Sequence, residues 1–429
     1  MIQNHAMMIP RSRCAASLLV QITLLAGVIT GLVGPMAASA GAPLPEVLAD
    51  PEVLADEASE PDDDHATLQP RVEEFRYRDG PVMELTGDRE FRGGVVVDGG
   101  RIVLIPRTGE FIAEYDPDTE RLTRTARHGQ PGGFGFGSVI DGTLVVMTPR
   151  GSRNIGLYDS TTQQYRDGAA HGQASNNAFL GSAMVRPDLV VFAPLNARVV
   201  GLYDPQTDTY RDGPEVPEQG HYLFSDIHVS SRTGEVIFTP FDSVHVGIYD
   251  PNKNVYVQGP PHQAGTTAAY SGIAELADGT MVMAPRNAKH IGLYDPTTRT
   301  FTKGPEHGEG AAAFMAAQPW PNGPVVMAPY RASHVGIYDP STRQYRSGPS
   351  VAHVPVLSHG QRFSGAILTA AGDQIIMSNR GADRLGILTQ IEQIEHATPD
   401  AFPIRNGRDL STVREITDAF SAPSPCPLP

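Results

Sequence analysis

The stretch Val200-Gly201-Leu202-Tyr203-Asp204-Pro205-Gln206-Thr207-Asp208-Thr209-Tyr210-Arg211-Asp212-Gly213-Pro214 reads as two strands and the turn that joins them. Val200 to Tyr203 is apolar enough for a buried strand, and Thr209 to Gly213 alternates like a polar outer one. Between them Asp204 can bond back to the backbone, and Pro205 fixes φ at the second turn position. The Gly-Leu/Ile-Tyr-Asp core recurs at Tyr158, Tyr203, Tyr249, Tyr294 and Tyr338, with a variant at Tyr115 and a decayed copy at Leu388. Successive spacings are 43, 45, 46, 45, 44 and 50 residues. Periods of this length mark propellers or helical arrays, and local pattern decides between them.

Working outward, the pattern is β throughout. An aromatic opens an apolar strand at Phe91, Phe134, Phe179, Phe224, Tyr270, Phe314 and Phe363, always 24 or 25 residues before the Tyr position. A hydrophobic strand closing on proline follows, such as Leu144–Pro149 or Met281–Pro285. Four strands per unit, with tight turns and no helical periodicity, make a propeller blade. The seventh unit lacks its last strand, yet Glu74-Phe75-Arg76-Tyr77-Arg78-Asp79-Gly80-Pro81 has that strand's pattern, and Tyr77 precedes Phe91 by the same 14 residues that separate Tyr210 from Phe224. The expectation is an all-β, seven-bladed β-propeller over residues 71–390, closed by an N-terminal strand completing the last blade.

The segment from Val200 to Tyr210 resembles the second half of a kelch repeat, in which a Tyr-Asp-Pro-x-Thr turn leads to an aromatic. The resemblance covers about 320 residues in degenerate form. The di-glycine after the second strand is replaced by Pro-Arg or a variant, and the repeat tryptophan by Tyr165, Tyr210, Tyr256, Phe301 and Tyr345. It implies a kelch-like propeller, whose loops between strands two and three share a face with the blade-joining loops. That face usually carries the ligand site.

Composition agrees with many turns. Gly and Pro make up 81 of 429 residues, about 30 more than an average usage of roughly 12% would give. Arg11 and Arg13 precede an uncharged apolar run from Cys14 to Val33, and Ala38-Ser39-Ala40 follows, the layout of a signal peptide over 1–40 cleaved after Ala40. A secreted or periplasmic protein is expected, with the membrane a partner only if this segment stays uncleaved. Residues 41–70 carry nine acidic residues and no basic one, and read as a solvated linker. Residues 391–429 form a C-terminal tail outside the repeat. Cleavage leaves Cys426 as the single thiol, so stability rests on packing rather than disulfides. The net charge of −15 disfavours nucleic acid as a partner.

The ligand face concentrates the opposite charge. Directly after the residue that ends each second strand come Arg107, Arg150, Leu195, Phe241, Arg286, Tyr330 and Arg380, with Arg331 one residue beyond Tyr330. Blade-joining loops contribute His128, His171, His221, His262, His307, His353 and His359. Arginine forks match carboxylate, sulfate and phosphate, so this face suits an anionic glycan, a small anion or a protein partner. The ligand-binding candidates are Arg107, Arg150, Arg286, Tyr330, Arg331, Arg380, His128, His171, His262 and His307. The competing reading of such repeated residues is that each satisfies the same inter-blade contact. The histidines lack short ligand spacings, so neither a metal site nor a cofactor is expected, and the expected state is a monomer. The alternative to a binding module is an extracellular lyase or hydrolase acting on an acidic polysaccharide or a lactone, with a histidine as base and a tyrosine or arginine stabilising charge.

Overall fold

The computed structural model describes residues 74–83, 91–173, 176–321, 323–357 and 360–391. The expected signal peptide, the linker and the tail beyond Ile391 lie outside the described residues. The described residues form seven four-stranded antiparallel sheets and no helix. This is a seven-bladed β-propeller.

In each blade the chain runs outward from the central axis. Blade 1 uses Phe91–Val96, Ile102–Pro106, Phe111–Asp116 and Arg121–Arg127 in that order. Its second strand is buried at every residue, because it lies between two neighbouring blades, and the fourth faces solvent along its outer side. The apolar runs of the sequence are therefore second and third strands, and the polar alternation belongs to the rim.

The turn before the rim strand works as its sequence implies. Asp204 Oδ1 accepts the amides of Gln206 (2.8 Å) and Thr207 (3.4 Å), and Asp208 closes the turn at φ 50°. Asp116, Asp159, Asp250, Asp295 and Asp339 repeat it. The Thr207 hydroxyl together with these amides holds the Asp204 carboxyl below the usual carboxylate range.

Closure joins the two ends of the repeat region. Strand Glu74–Val82 pairs with Arg384–Ile391, placing Tyr77 opposite Leu388. The Arg384 guanidinium donates to Asp79 across this pair at 2.8 Å. On the inner side Ser364 Oγ donates to the Phe91 carbonyl, and Gly93 N donates to Ser378 Oγ, stitching blade 7 to blade 1.

The first-strand aromatics pair with the second-strand prolines, Phe91 with Pro106, Phe179 with Pro194 and Phe314 with Pro329, and Phe363 bridges Asn379. Blade-joining loops and loops between strands two and three thus share one face. Innermost strands of neighbouring blades touch backbone to backbone where they carry glycine. A Cβ at Gly365 would stand 2.5 Å from Gly93 Cα, and one at Gly135 would collide with the Leu180 carbonyl. Gly365→Ala should therefore cost about 1–3 kcal/mol by overpacking the seam between blades 7 and 1. Thermal denaturation followed by circular dichroism checks this, and an unchanged midpoint would contradict the close approach.

Candidate functional site

The residue after each second strand stands at the mouth of the central channel. Around the ring, blades 7, 1 and 2 contribute Arg380, Arg107 and Arg150, blades 3 and 4 contribute Leu195 and Phe241, and blades 5 and 6 contribute Arg286 and Tyr330. Neighbours along the ring interact. The Arg286 guanidinium carbon lies 4.8 Å from the Phe241 ring centroid and 5.0 Å from that of Tyr330, and Arg380 lies 5.7 Å from the Tyr330 ring. Arg286 is therefore held between two aromatic faces, which fixes its plane without neutralising it. Arg107, Arg380 and Tyr330 are buried, whereas Arg150, Phe241 and Arg286 are half-buried.

Two charged residues on the innermost strands complete the group. Arg92 in blade 1 is 5% exposed and sits over the Phe136 ring at 5.3 Å. Burial pushes its guanidinium pKa down, and the positive charges of Arg380, Arg107, Arg150 and Arg286 push it further. Arg92 thus lies within electrostatic reach of all four ring arginines. The Nε atoms of Arg92 and Arg286 are buried without a hydrogen-bond partner. Asp226, on the first strand of blade 4, accepts the Ile227 amide at 2.9 Å. Burial pushes its pKa up to about 7, against the opposing pull of Arg92. Asp242, next to Phe241, accepts the Ala268 amide at 2.8 Å and is also raised by burial.

Neither Arg92 nor Asp226 stood out in the sequence. The available signal was a charged side chain one or two residues after the first-strand aromatic, where the other blades carry Gly, Ser, Leu, Met, Phe or Ala.

The four loop histidines among the candidates have a different place. His128, His171, His262 and His307 are buried. In each, Nε2 faces the carbonyl of a residue in the preceding loop of its own blade: Gly109 at 2.7 Å, and Ser152, Ser243 and Ala288 at 2.9 Å. Nδ1 in each accepts the amide two residues on, at 3.1 Å. This arrangement requires the neutral tautomer with hydrogen on Nε2, because a second ring proton would meet an N–H donor. Burial accordingly pushes His128 and His262 below the usual imidazole pKa. Each ring also packs edge-on against the next blade's first-strand aromatic, His262 on Tyr270 at 5.6 Å for example. With both nitrogens engaged by main chain, these four clamp the blade junctions and stand apart from the arginine cluster. Where the histidine is absent, Val216, Val351 and Met83 occupy the site, and Arg198 and Arg362 donate to loop carbonyls nearby.

The remaining candidates lie at the edge of the face. Arg331 is exposed, as are His221 and His353, and His359 lies outside the described residues. A cavity of about 620 Å³ opens beside Arg150, lined also by Arg153, Gln130, Asn154 and Asn177. Among the described residues no group of three or more His, Cys, Asp or Glu could hold a metal ion, and no helix is long and apolar enough to cross a membrane.

A seven-bladed β-propeller with arginine at four of its seven ring positions is the class that fold and site define. No protein-family model and no curated protein sequence matches the chain. Among solved structures the chain is similar to a streptogramin B lyase, with TM-score 0.62 and 15% identity over 74% of this chain and 98% of that one. It is also similar to a catalytically inactive virginiamycin B lyase from Staphylococcus aureus solved with quinupristin, at TM-score 0.60 and 17% identity over 74% of this chain and all of that one. A chain of the mitotic checkpoint complex gives TM-score 0.56 and 12% identity over 81% of this chain and 98% of that one. At such identities the likeness establishes the fold alone.

Two outcomes are expected of this geometry. His262→Ala strands the Ser243 carbonyl and the Ala264 amide and should lower stability by about 1–3 kcal/mol, measurable as a drop in melting temperature. Asp226 titrates near 7 in the folded protein but near 3.8 unfolded, so the folded state holds the proton more tightly. Its contribution is greatest below about pH 4 and is lost as pH rises toward 7. Asp226→Asn should therefore melt higher than the native chain at pH 8 and close to it at pH 4. Equal melting curves at both pH values would contradict the raised carboxyl.

Proposed function

We propose that the propeller is a binding module for anionic ligands, with Arg107, Arg150, Arg286 and Arg380 at the channel mouth as the recognition group and Arg92 behind them. The observation that carries this reading is the convergence of the four ring arginines on buried Arg92, whose charged form they disfavour. Like charges gathered in a poorly solvated place are costly, and an anion between them offsets that cost by direct pairing. Asp226 and Asp242, whose charges act on Arg92 and Arg286, are each held by a main-chain amide. Carboxylate, sulfate and phosphate all suit the guanidinium forks, whether on a small anion, an anionic glycan or an acidic segment of a protein partner.

We further read the repeat as a degenerate kelch type, supported by its Tyr-Asp-Pro-x-Thr turns, and the protein as secreted or periplasmic, supported by the apolar segment ending at Ala40. The lyase alternative draws on the lyases of like fold. The four clamping histidines hold both ring nitrogens in main-chain bonds, so a base for that alternative would come from His221 or His353, which are exposed.

The test is a double variant, Arg150→Gln with Arg286→Met. It should lose retention on an acidic-glycan array and lose the rise in melting temperature that sulfate gives the native chain by mass action. Its own melting temperature should be equal or higher, since two of the mutually repelling charges are gone. Retention and sulfate stabilisation equal to those of the native chain would overturn the proposal.

A further inference from the structure

First strands of successive blades are in contact, and that of blade 7 meets that of blade 1, so the seven surround the channel in chain order. Blades 1 and 4 therefore stand on opposite sides of it, with two blades between them one way around and three the other. Each sends one charged residue from its innermost strand. Of the fourteen positions one or two residues after the first-strand aromatics, Arg92 and Asp226 alone are charged, one of each sign. The other twelve hold Gly, Ser, Ala, Leu, Met or Phe, so no further charge on these positions answers either of them.

Nor do the two answer each other. Arg92 and Asp226 act on one another through space, yet among the described residues no ion pair joins them. The Arg92 guanidinium lies over the Phe136 ring at 5.3 Å, and its Nε is buried without a hydrogen-bond partner. Asp226 is half-buried, and its Oδ1 accepts the Ile227 amide at 2.9 Å. The ring contact holds one charge on its own wall and the main chain holds the other. Opposite charges in a poorly solvated place stabilise each other when they touch, and each is costly when it stands alone. A bare anion would answer Arg92 and be repelled by Asp226. A molecule that carries both signs answers both.

We infer that the ligand of this channel is a small zwitterion, with a carboxylate, sulfonate or phosphate directed to Arg92 and an ammonium directed to Asp226. This inference rests on the anion-binding reading and adds the class of ligand to it. The ring arginines draw the anionic end to the mouth, and Asp226 has the part of a specificity determinant that reads the amine. A charge-assisted hydrogen bond between ammonium and carboxylate is worth about tenfold in affinity.

The experiment uses ligands that differ only in the amine: 2-aminoethanesulfonate against 2-hydroxyethanesulfonate, and the same pair with three carbons. Affinities are measured by isothermal titration calorimetry at pH 8, where Asp226 is ionised, on the full chain and on its Asp226→Asn variant. In at least one pair the native chain should bind the ammonium member about tenfold more tightly than its hydroxyl counterpart. In Asp226→Asn that ratio should fall close to one, while the hydroxyl member binds as well as before or better, since a repelling charge is gone. Asp226→Gly, which carries the residue found at this position in blades 1, 3, 5 and 7, should give the same ratio and guards against a folding defect in the first variant. Equal affinities within both pairs for the native chain, or a preference unchanged in the variants, would overturn the inference and leave the arginine reading standing. Binding of none of the four sulfonates would remove the anion reading itself.

Discussion

Convergence of seven innermost strands on one axis is the constraint on which the other features depend. The backbones meet without intervening side chains at glycines such as Gly135, Gly181, Gly272 and Gly365. That closeness leaves a narrow channel and brings the residue after each second strand to a common mouth. A substitution that would be an isolated surface charge on an open sheet becomes, in this geometry, one member of a cluster. Four arginines stand at the ring position, and Arg92 on an inner strand feels the charge of all four.

The same convergence governs what pH does to the molecule. His128 and His262 are buried neutral, with pKa values pushed below the imidazole norm, so the stability they contribute is full above about 6.5 and falls as acid protonates the unfolded chain first. Asp226 is shifted the other way, to about 7, and contributes more as pH falls toward 4. The clamps lie at the blade junctions and the carboxyl on the inner strand of blade 4, so a mildly acidic medium loosens the first while relaxing the second. The field at the channel mouth changes in the same interval, because Asp226 loses its negative charge and the arginines keep theirs.

Much of the architecture was legible because it is written locally. Asp204 and Pro205 specify a turn whatever surrounds them, nine residues always separate the second-strand ending from the Tyr position, and the strand missing after Leu388 is matched by the segment around Tyr77. The ring position was legible for the same reason. Arg92 and Asp226 were not. Each first strand carries an irregularity after its aromatic, between Phe91 and Gly94 in blade 1 and between Phe224 and Ile227 in blade 4. A bulge shifts the two-residue alternation by one, so the pattern alone does not say which side chain faces the axis. The histidines were visible, but both readings of them fitted the sequence, and only the pairing of each ring nitrogen with a main-chain group separates one from the other.

That separation suggests how repeat and exception divide the work in this fold. The clamping histidines, the turn aspartates and the inner glycines recur because every blade has the same junction to make, and where a histidine is missing a buried valine or methionine fills the space with no new exposed chemistry. The ring position behaves otherwise. Its departures from arginine are Leu195 in blade 3, Phe241 in blade 4 and Tyr330 in blade 6, and Arg286 of blade 5 packs between the last two rings. Arg380 meets the Tyr330 ring as well, so two of the departures supply the aromatic faces that fix the planes of neighbouring arginines, a role that arginine at every position would leave unfilled.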